Sequence, residues 1–237
     1  MNCINIKGSP VCGSNVTGSM AHTYFQCRNL TGPPVCGNNV TSLFQAYQAC
    51  TNLTGSPVCG NKVTSMYWAY ASCTNLKGSP VCGPNVTNME GAYSSCYNLT
   101  GSPVCGNNVT TIRYAYANCT NLGRNITSDI ILARNNVVDM GNAYFGCTNL
   151  GTNRAYHNFY IYSKEVTVMT NCFYNCNFLN PSYRVNIYVP NGSNTLKLIS
   201  NNSQSVNIFG KQINWTNYTN YYYNGTYFIY IYKNKIS

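Results

Sequence analysis

The chain has 237 residues, of which 8% are charged, 44% are hydrophobic and 14% are aromatic, and its formal charge is +10. An ordinary soluble domain carries roughly 25% charged residues, so solubility here falls to Asn, Thr, Ser and Tyr, a composition that suits an extracellular or particle-borne surface better than a cytosolic enzyme. The fourteen basic residues are scattered, with no Lys/Arg run and no base-reading motif, which argues against a nucleic-acid partner.

The chain opens at Met1 on NCINIKGSPVCG, which already reads as the second half of a repeat and not as a basic stretch followed by an apolar run, so no secretory signal is expected. No 18-residue apolar segment occurs, and no membrane span is expected. No polar capping segment precedes Cys3, so the first coil is expected to abut a protein partner, either a second copy or a larger assembly.

From there a unit recurs at 23 residues. Cys27, Cys50, Cys73, Cys96 and Cys119 keep that spacing, as do Cys36, Cys59, Cys82 and Cys105. Self-similarity at such a period indicates a stacked, quasi-one-dimensional architecture. In the unit from Val86, the residues Val86, Met89, Ala92, Tyr93 and Cys96 fall at i, i+3, i+6, i+7 and i+10. That spacing predicts one face of a three-turn α-helix, with Asn85 or Asn108 as N-cap. Seven such half-coils begin at Val16, Val40, Val63, Val86, Val109, Val137 and Val166, and the last two are irregular.

Two residues after the cysteine stand Asn52, Asn75, Asn98 and Asn121, expected to stack as a ladder that satisfies turn backbone groups. The GSPVCG return segment predicts a very short parallel strand at Val-Cys, with Pro57, Pro80 and Pro103 at its entry. Slots that vary between copies of a regular repeat face solvent. Phe44, Tyr67, Trp68, Arg113 and Tyr114 are the candidate recognition surface.

The string NVTNMEGAYSSCYNLTGSPVCG resembles the BspA-like leucine-rich repeats of bacterial surface antigens and some phage structural proteins, over about residues 1–180. The resemblance implies a right-handed leucine-rich-repeat-type solenoid, an α/β repeat with short parallel strands and one helix per coil, serving adhesion or recognition. Ser102 and Val104 depart from it where the family has strand leucines.

Residues 181–237 are expected to form a β-rich capping or docking region. Tyr183 to Val189 alternates like a strand, and Asn194 to Ser200 reads as a short helix. Asn224-Gly225 between aromatic runs signals a Tyr-rich hairpin. Trp215, Tyr222, Phe228, Tyr230 and Tyr232 are candidate docking aromatics.

Fourteen cysteines raise disulfides and metals. An unbroken column gives each thiol two equal neighbours and specifies no pairing. Only Cys172 and Cys176 approach a metal-binding spacing, with His157 a distant third partner. The thiols are therefore expected to act as small buried hydrophobes, with no metal and no cofactor. His22 and His157 are the only histidines, the acids form no motif pair, and the chain is expected not to be an enzyme. Asn-x-Ser/Thr triplets at Asn39, Asn52, Asn85, Asn98, Asn108, Asn214, Asn217 and Asn224 read as chance in an Asn/Thr-rich text.

Together these features predict a non-enzymatic, surface-displayed binding or structural protein, a phage virion component such as a fibre, spike or decoration protein; the alternative is a bacterial cell-surface adhesin or a fragment of one. A host-surface glycan or protein is the expected ligand.

Overall fold

The computed structural model describes residues 5–152, 156–177, 184–190, 192–210, 222–223 and 226–231. The first part is a pile of coils in which each residue meets its equivalent one repeat later. Strands β1 (Thr17–Ser19) and β2 (Asn39–Ser42) pair in parallel. Single parallel bridges then carry the ladder onward, Ser42 to Ser65, Ser65 to Asn88, Asn88 to Thr111, Thr111 to Asp139 and Asp139 to Val168.

The half-coils that follow this ladder are not helices, which corrects the expectation of one helix per coil. Each is a run of tight turns. In the coil from Val40, the amides of Ala46 and Cys50 donate to the carbonyls of Leu43 and Tyr47 three residues back, while those of Leu43, Gln45, Tyr47 and Ala49 donate to Ser65, Tyr67, Ala69 and Ala71 of the next coil. An α-helix sends its amides four residues back along its own axis, whereas here every second amide goes sideways into the neighbour. Two residues per coil take positive φ, four apart: Gln45 and Ala49, Trp68 and Ser72, Gly91 and Ser95, Tyr114 and Asn118. Positive φ at the third position of a turn is the type II geometry, and it is foreign to a right-handed helix.

The return segment differs from expectation as well. No strand forms at Val-Cys of the Pro-containing copies; the ladder runs through Asn-Val-Thr-Ser instead. A strand does form where the proline is lost. Ile131 occupies the place of Pro103, and β3 (Ile130–Ala133) pairs in parallel with β4 (Tyr156–Ile161), which pairs in parallel with β5 (Arg184–Pro190). Proline lacks the amide that a ladder needs.

What holds the Pro-containing segments is a column of buried tyrosines. Tyr47, Tyr70, Tyr93, Tyr116 and Tyr144 have no solvent exposure, and their rings stack coil to coil at 5.5 to 5.7 Å. Each hydroxyl reaches the residue twelve positions earlier. Tyr93 donates to the Val81 carbonyl at 2.7 Å and accepts the Val81 amide at 3.1 Å, and Tyr116 does the same at Val104 and Tyr47 at Val35. The phenol thus gives a strandless segment both of the hydrogen bonds that a ladder would have supplied. The column continues through Phe173 to Phe209. Phe173 has no hydroxyl, and the residue twelve earlier, Ile161, is in β4, already paired with Ala133.

The Asn ladder lies where expected. The side-chain amides of Asn98, Asn121 and Asn149 donate to the carbonyls of Thr74, Tyr97 and Thr120. Asn85 and Asn108 cap no helix; they form a second such ladder onto Asn61 and Pro84.

The C-terminal end of the pile is closed by helices α1 (Asn194–Ser200) and α2 (Asn202–Phe209) as well as by strands, where the sequence predicts a β-rich cap. Asn207 and Ile208 accept the amides of Asn171 and Phe173, the place that a further coil would fill. Thr195, fully buried, accepts the Val166 amide. Beyond residue 180, β5 joins the same sheet as β3 and β4, and β7 (Thr226–Ile231) adds antiparallel to it with β6 (Tyr222–Tyr223) outermost.

Tyr93→Phe keeps the ring stack but strips Val81 of both partners. A buried unsatisfied group costs about 1–3 kcal/mol, so chemical denaturation is expected to show a loss of that order. Ala49→Gly removes a side chain from a residue at φ +60° and is expected to stabilise by about 0.5–1 kcal/mol in the same measurement.

Candidate recognition surface

The side chains that vary from copy to copy sit at the two middle positions of the first turn in each coil. Their backbone is fixed from behind. The amides of Phe44, Tyr67, Glu90, Arg113 and Gly141 each donate to a short polar side chain two residues earlier, respectively Ser42, Ser65, Asn88, Thr111 and Asp139, at 2.8 to 3.4 Å. These five polar residues lie on the parallel ladder itself. The sheet therefore sets where each variable side chain begins. Asp139 is one of these anchors.

All five residues of the sequence-derived surface come together. The rings of Phe44 and Tyr67 stack at 4.8 Å, Tyr67 meets Trp68 edge-on at 6.3 Å, and Trp68 reaches Tyr114 at 6.3 Å. The Arg113 guanidinium lies 5.3 Å from the Tyr114 ring centroid and 3.6 Å from the Asp139 carboxylate. Each of the five is half-buried. Sequence reasoning missed the extension at the other end, where exposed His22 packs edge-on against both Phe44 and Phe25, at 5.3 and 5.7 Å. The signal was present, since His22 and Gln45 occupy the same slot one coil apart.

Charge is confined to one end of this strip. Burial holds the Glu90 carboxyl above its ordinary range; Arg113 opposes that shift and the Asp139 charge adds to it. The hydrogen bond with Tyr114 raises the Arg113 pKa first, with Asp139 adding to it. The guanidinium serves both partners at once, as its fork of donors allows.

The C-terminal docking aromatics are placed less fully. Phe228 and Tyr230 pair with Tyr188 and Asn186 across β5–β7, and Tyr222 pairs with Tyr227. Trp215, Tyr232, Cys3, Leu179 and the Asn224-Gly225 turn lie outside the described residues. Beside β5, a second polar and aromatic group joins three coils: Asn158 and Tyr160 both donate to Asp129, and Tyr160 stacks on Tyr188 at 4.5 Å.

The cysteines form two columns. In the inner one, the sulfhydryls of Cys73, Cys96, Cys119, Cys147 and Cys176 donate backward to the carbonyls of Tyr47, Tyr70, Tyr93, Tyr116 and Tyr144 at 2.9 to 3.0 Å. In the outer one, each sulfur packs on the glycine of the next coil. A Cβ added at Gly83 would lie 2.9 Å from the Cys59 sulfur, and one at Gly106 would lie 3.0 Å from that of Cys82, which explains the Cys-Gly pairing of the repeat. Among the described residues no disulfide is present and no group of three or more His, Cys, Asp or Glu side chains is placed to hold a metal. Among them, too, no helix is long and apolar enough to cross a membrane.

Burial pushes these thiols up, Cys59 to about 12 and Cys82 and Cys105 to about 11. It pushes the phenols of Tyr70, Tyr93 and Tyr116 well above their ordinary value.

Comparison of the chain with protein-family models, with curated proteins and with solved structures returns no match.

The two buried columns carry a pH dependence. Thiols of the unfolded chain ionise near 9.0 and phenols near 10.0, while those of the folded chain keep their protons. Above that range the folded state binds more protons than the unfolded, so stability falls as pH rises. The denaturation midpoint is expected to stay flat to about pH 8 and to fall progressively above about pH 9.

Proposed function

We propose that the chain is a non-enzymatic binding module, a solenoid of the leucine-rich-repeat type displayed on a surface, and that the strip from Phe44 to Arg113 is its recognition face. One observation carries this reading. Phe44, Tyr67, Trp68, Arg113 and Tyr114 come from the slots that vary between otherwise near-identical coils, yet they form one continuous chain of ring and cation contacts. Drift on a solvated face gives scattered substitutions; large aromatic and Arg side chains gathered on a rigid backbone are the composition of binding hot spots.

The carrier is a virion, as a fibre, spike or decoration protein, and the target is a bacterial surface. The low charge content, with Asn and Thr ladders in place of salt bridges, supports an exposed particle surface.

Labelled protein is expected to bind intact cells of at least one member of a panel of bacteria. The combined change Phe44→Ser, Tyr67→Ser and Arg113→Ser is expected to cut that binding about tenfold or more, with the denaturation midpoint little changed because the three side chains are only half-buried. Undiminished binding by the variant, or binding to no member of the panel, would refute the proposal.

A further inference from the structure

The second variable slot reads Gln45, Trp68, Gly91, Tyr114, Asn142 and Asn171 in successive coils. Gly91 is the one position in that series without a side chain, and Trp68 fills the space. A Cβ built on Gly91 would overlap the indole at Cδ2 and Cε2, the two ring-fusion carbons. Those atoms lie in the middle of the bicycle, so the indole rests on Gly91 by a face and not by an edge. Gly91 is buried beneath it, while Trp68 itself is only half-buried. The opposite face of the indole is therefore turned away from the backbone. Phe44 and Tyr67 differ, because they cover each other's faces at 4.8 Å.

The rim of this platform is polar along one side. Tyr67 and Tyr114 flank the indole at 6.3 Å. Glu90 directly precedes Gly91, and Arg113 beyond it pairs with Asp139 at 3.6 Å. Glu90, Arg113 and Asp139, one in each of the three coils that follow Trp68, make a charged group that runs on from the platform and is one charge negative.

From this geometry we infer that Trp68 on Gly91 is a subsite for a neutral pyranose sugar. The inference rests on the binding reading above and names its ligand class. An aromatic face carries the negative end of the ring quadrupole and attracts the weakly positive C–H groups on one side of a pyranose. The hydroxyls at the sugar's edge are donors and acceptors in pairs. They serve Glu90 as acceptor and Arg113 as donor, the charged side chains of the two coils that follow Trp68, so these groups need not be left bare when water leaves. A protein partner would bury the same charges and pay heavily unless it brought matching charges of its own. The net negative group disfavours uronate, sulfate and sialate.

The test is titration of the full chain with maltose, cellobiose and lactose, followed by saturation-transfer NMR and calorimetry, with free N-acetylneuraminate and glucuronate as the anionic arm. Saturable binding of at least one neutral disaccharide is expected, with the saturation strongest on ring C–H protons and no binding of either anionic sugar through Trp68. Trp68→Ala is expected to weaken binding about tenfold or more. Gly91→Asn is the second variant. It keeps a residue type tolerant of positive φ and already present in the slot at Asn142, but it lifts the indole off its seat; it is expected to weaken sugar binding with the fold intact by circular dichroism. No binding of any of the three, or affinity indifferent to both variants, overturns the inference. If cells are still bound through Phe44, Tyr67 and Arg113 while the sugars are not, this inference fails alone and a protein target replaces it. If sugars bind at Trp68 but no cells do, the subsite stands and the surface reading fails.

Discussion

The constraint on which the structure depends is the bidirectional hydrogen bond of a buried tyrosine hydroxyl with a backbone twelve residues upstream. A segment with Pro at its centre cannot be held by a ladder, and its amide and carbonyl would be stranded in the interior. Tyr47, Tyr93 and Tyr116 satisfy both groups with one oxygen, and the ring that carries that oxygen also stacks on the ring of the next coil. Backbone satisfaction and core packing thus fall on the same side chain. Tyr144 still donates to the Leu132 carbonyl although Leu132 lies in strand β3, and the column changes to Phe173 opposite strand β4.

The same economy governs the outer surface. Because each turn sends alternate amides to its neighbour, the backbone is fixed without reference to the two side chains at the middle of the turn. Phe, Tyr, Glu and Arg succeed one another at the first of these positions, and Gln, Trp, Gly and Tyr at the second, over one unaltered path. Left-handed backbone at Gln45, Trp68 and Tyr114 costs of order 1 kcal/mol at each non-glycine residue. The rungs on either side impose it. A scaffold that tolerates such residues in strained positions separates its fold from its surface chemistry, which is the condition for one framework to present different recognition faces.

Much of this was legible in the sequence. The 23-residue period gave the succession of coils, the Asn after each cysteine gave its ladder, and the variable slots gave Phe44, Tyr67, Trp68, Arg113 and Tyr114, which the structure brings into contact. The helices were misread for a physical reason. Apolar spacings of three and four suit a helix face, and Val86, Met89, Tyr93 and Cys96 advance by three, four and three. Successive four-residue turns, here Met89 to Ala92 and Tyr93 to Cys96, reproduce the same spacing, so the apolar pattern alone does not separate the two. Gly91, Asn118, Asn142, Gly146, Asn171 and Asn175 stood at the left-handed positions and are poor helix formers. In GSPVCG the Gly and Pro mark a bend and leave only Val-Cys to act as a strand, although the hydrogen bonds there come from a tyrosine twelve residues on. The seat of Trp68 on Gly91 joins positions one full coil apart and is visible only once the coils are in register.

The turn amides donate forward to the next coil, as Tyr47 does to Ala69, and other amides donate backward, as Thr64 does to Thr41 and Thr87 to Thr64, and each coil meets its successor through the same atoms as the coil before it. Removing residues 63–85 as a block would set Tyr93 on Tyr47 and Asn88 on Ser42 with the rungs conserved, whereas removing any fraction of that length would leave amides facing side chains. A gene encoding such a chain can gain or lose whole units by unequal recombination between its own near-identical segments. Each such event would drop or repeat one row of the Phe, Tyr, Trp and Arg side chains and bring new rows into contact at a single stroke.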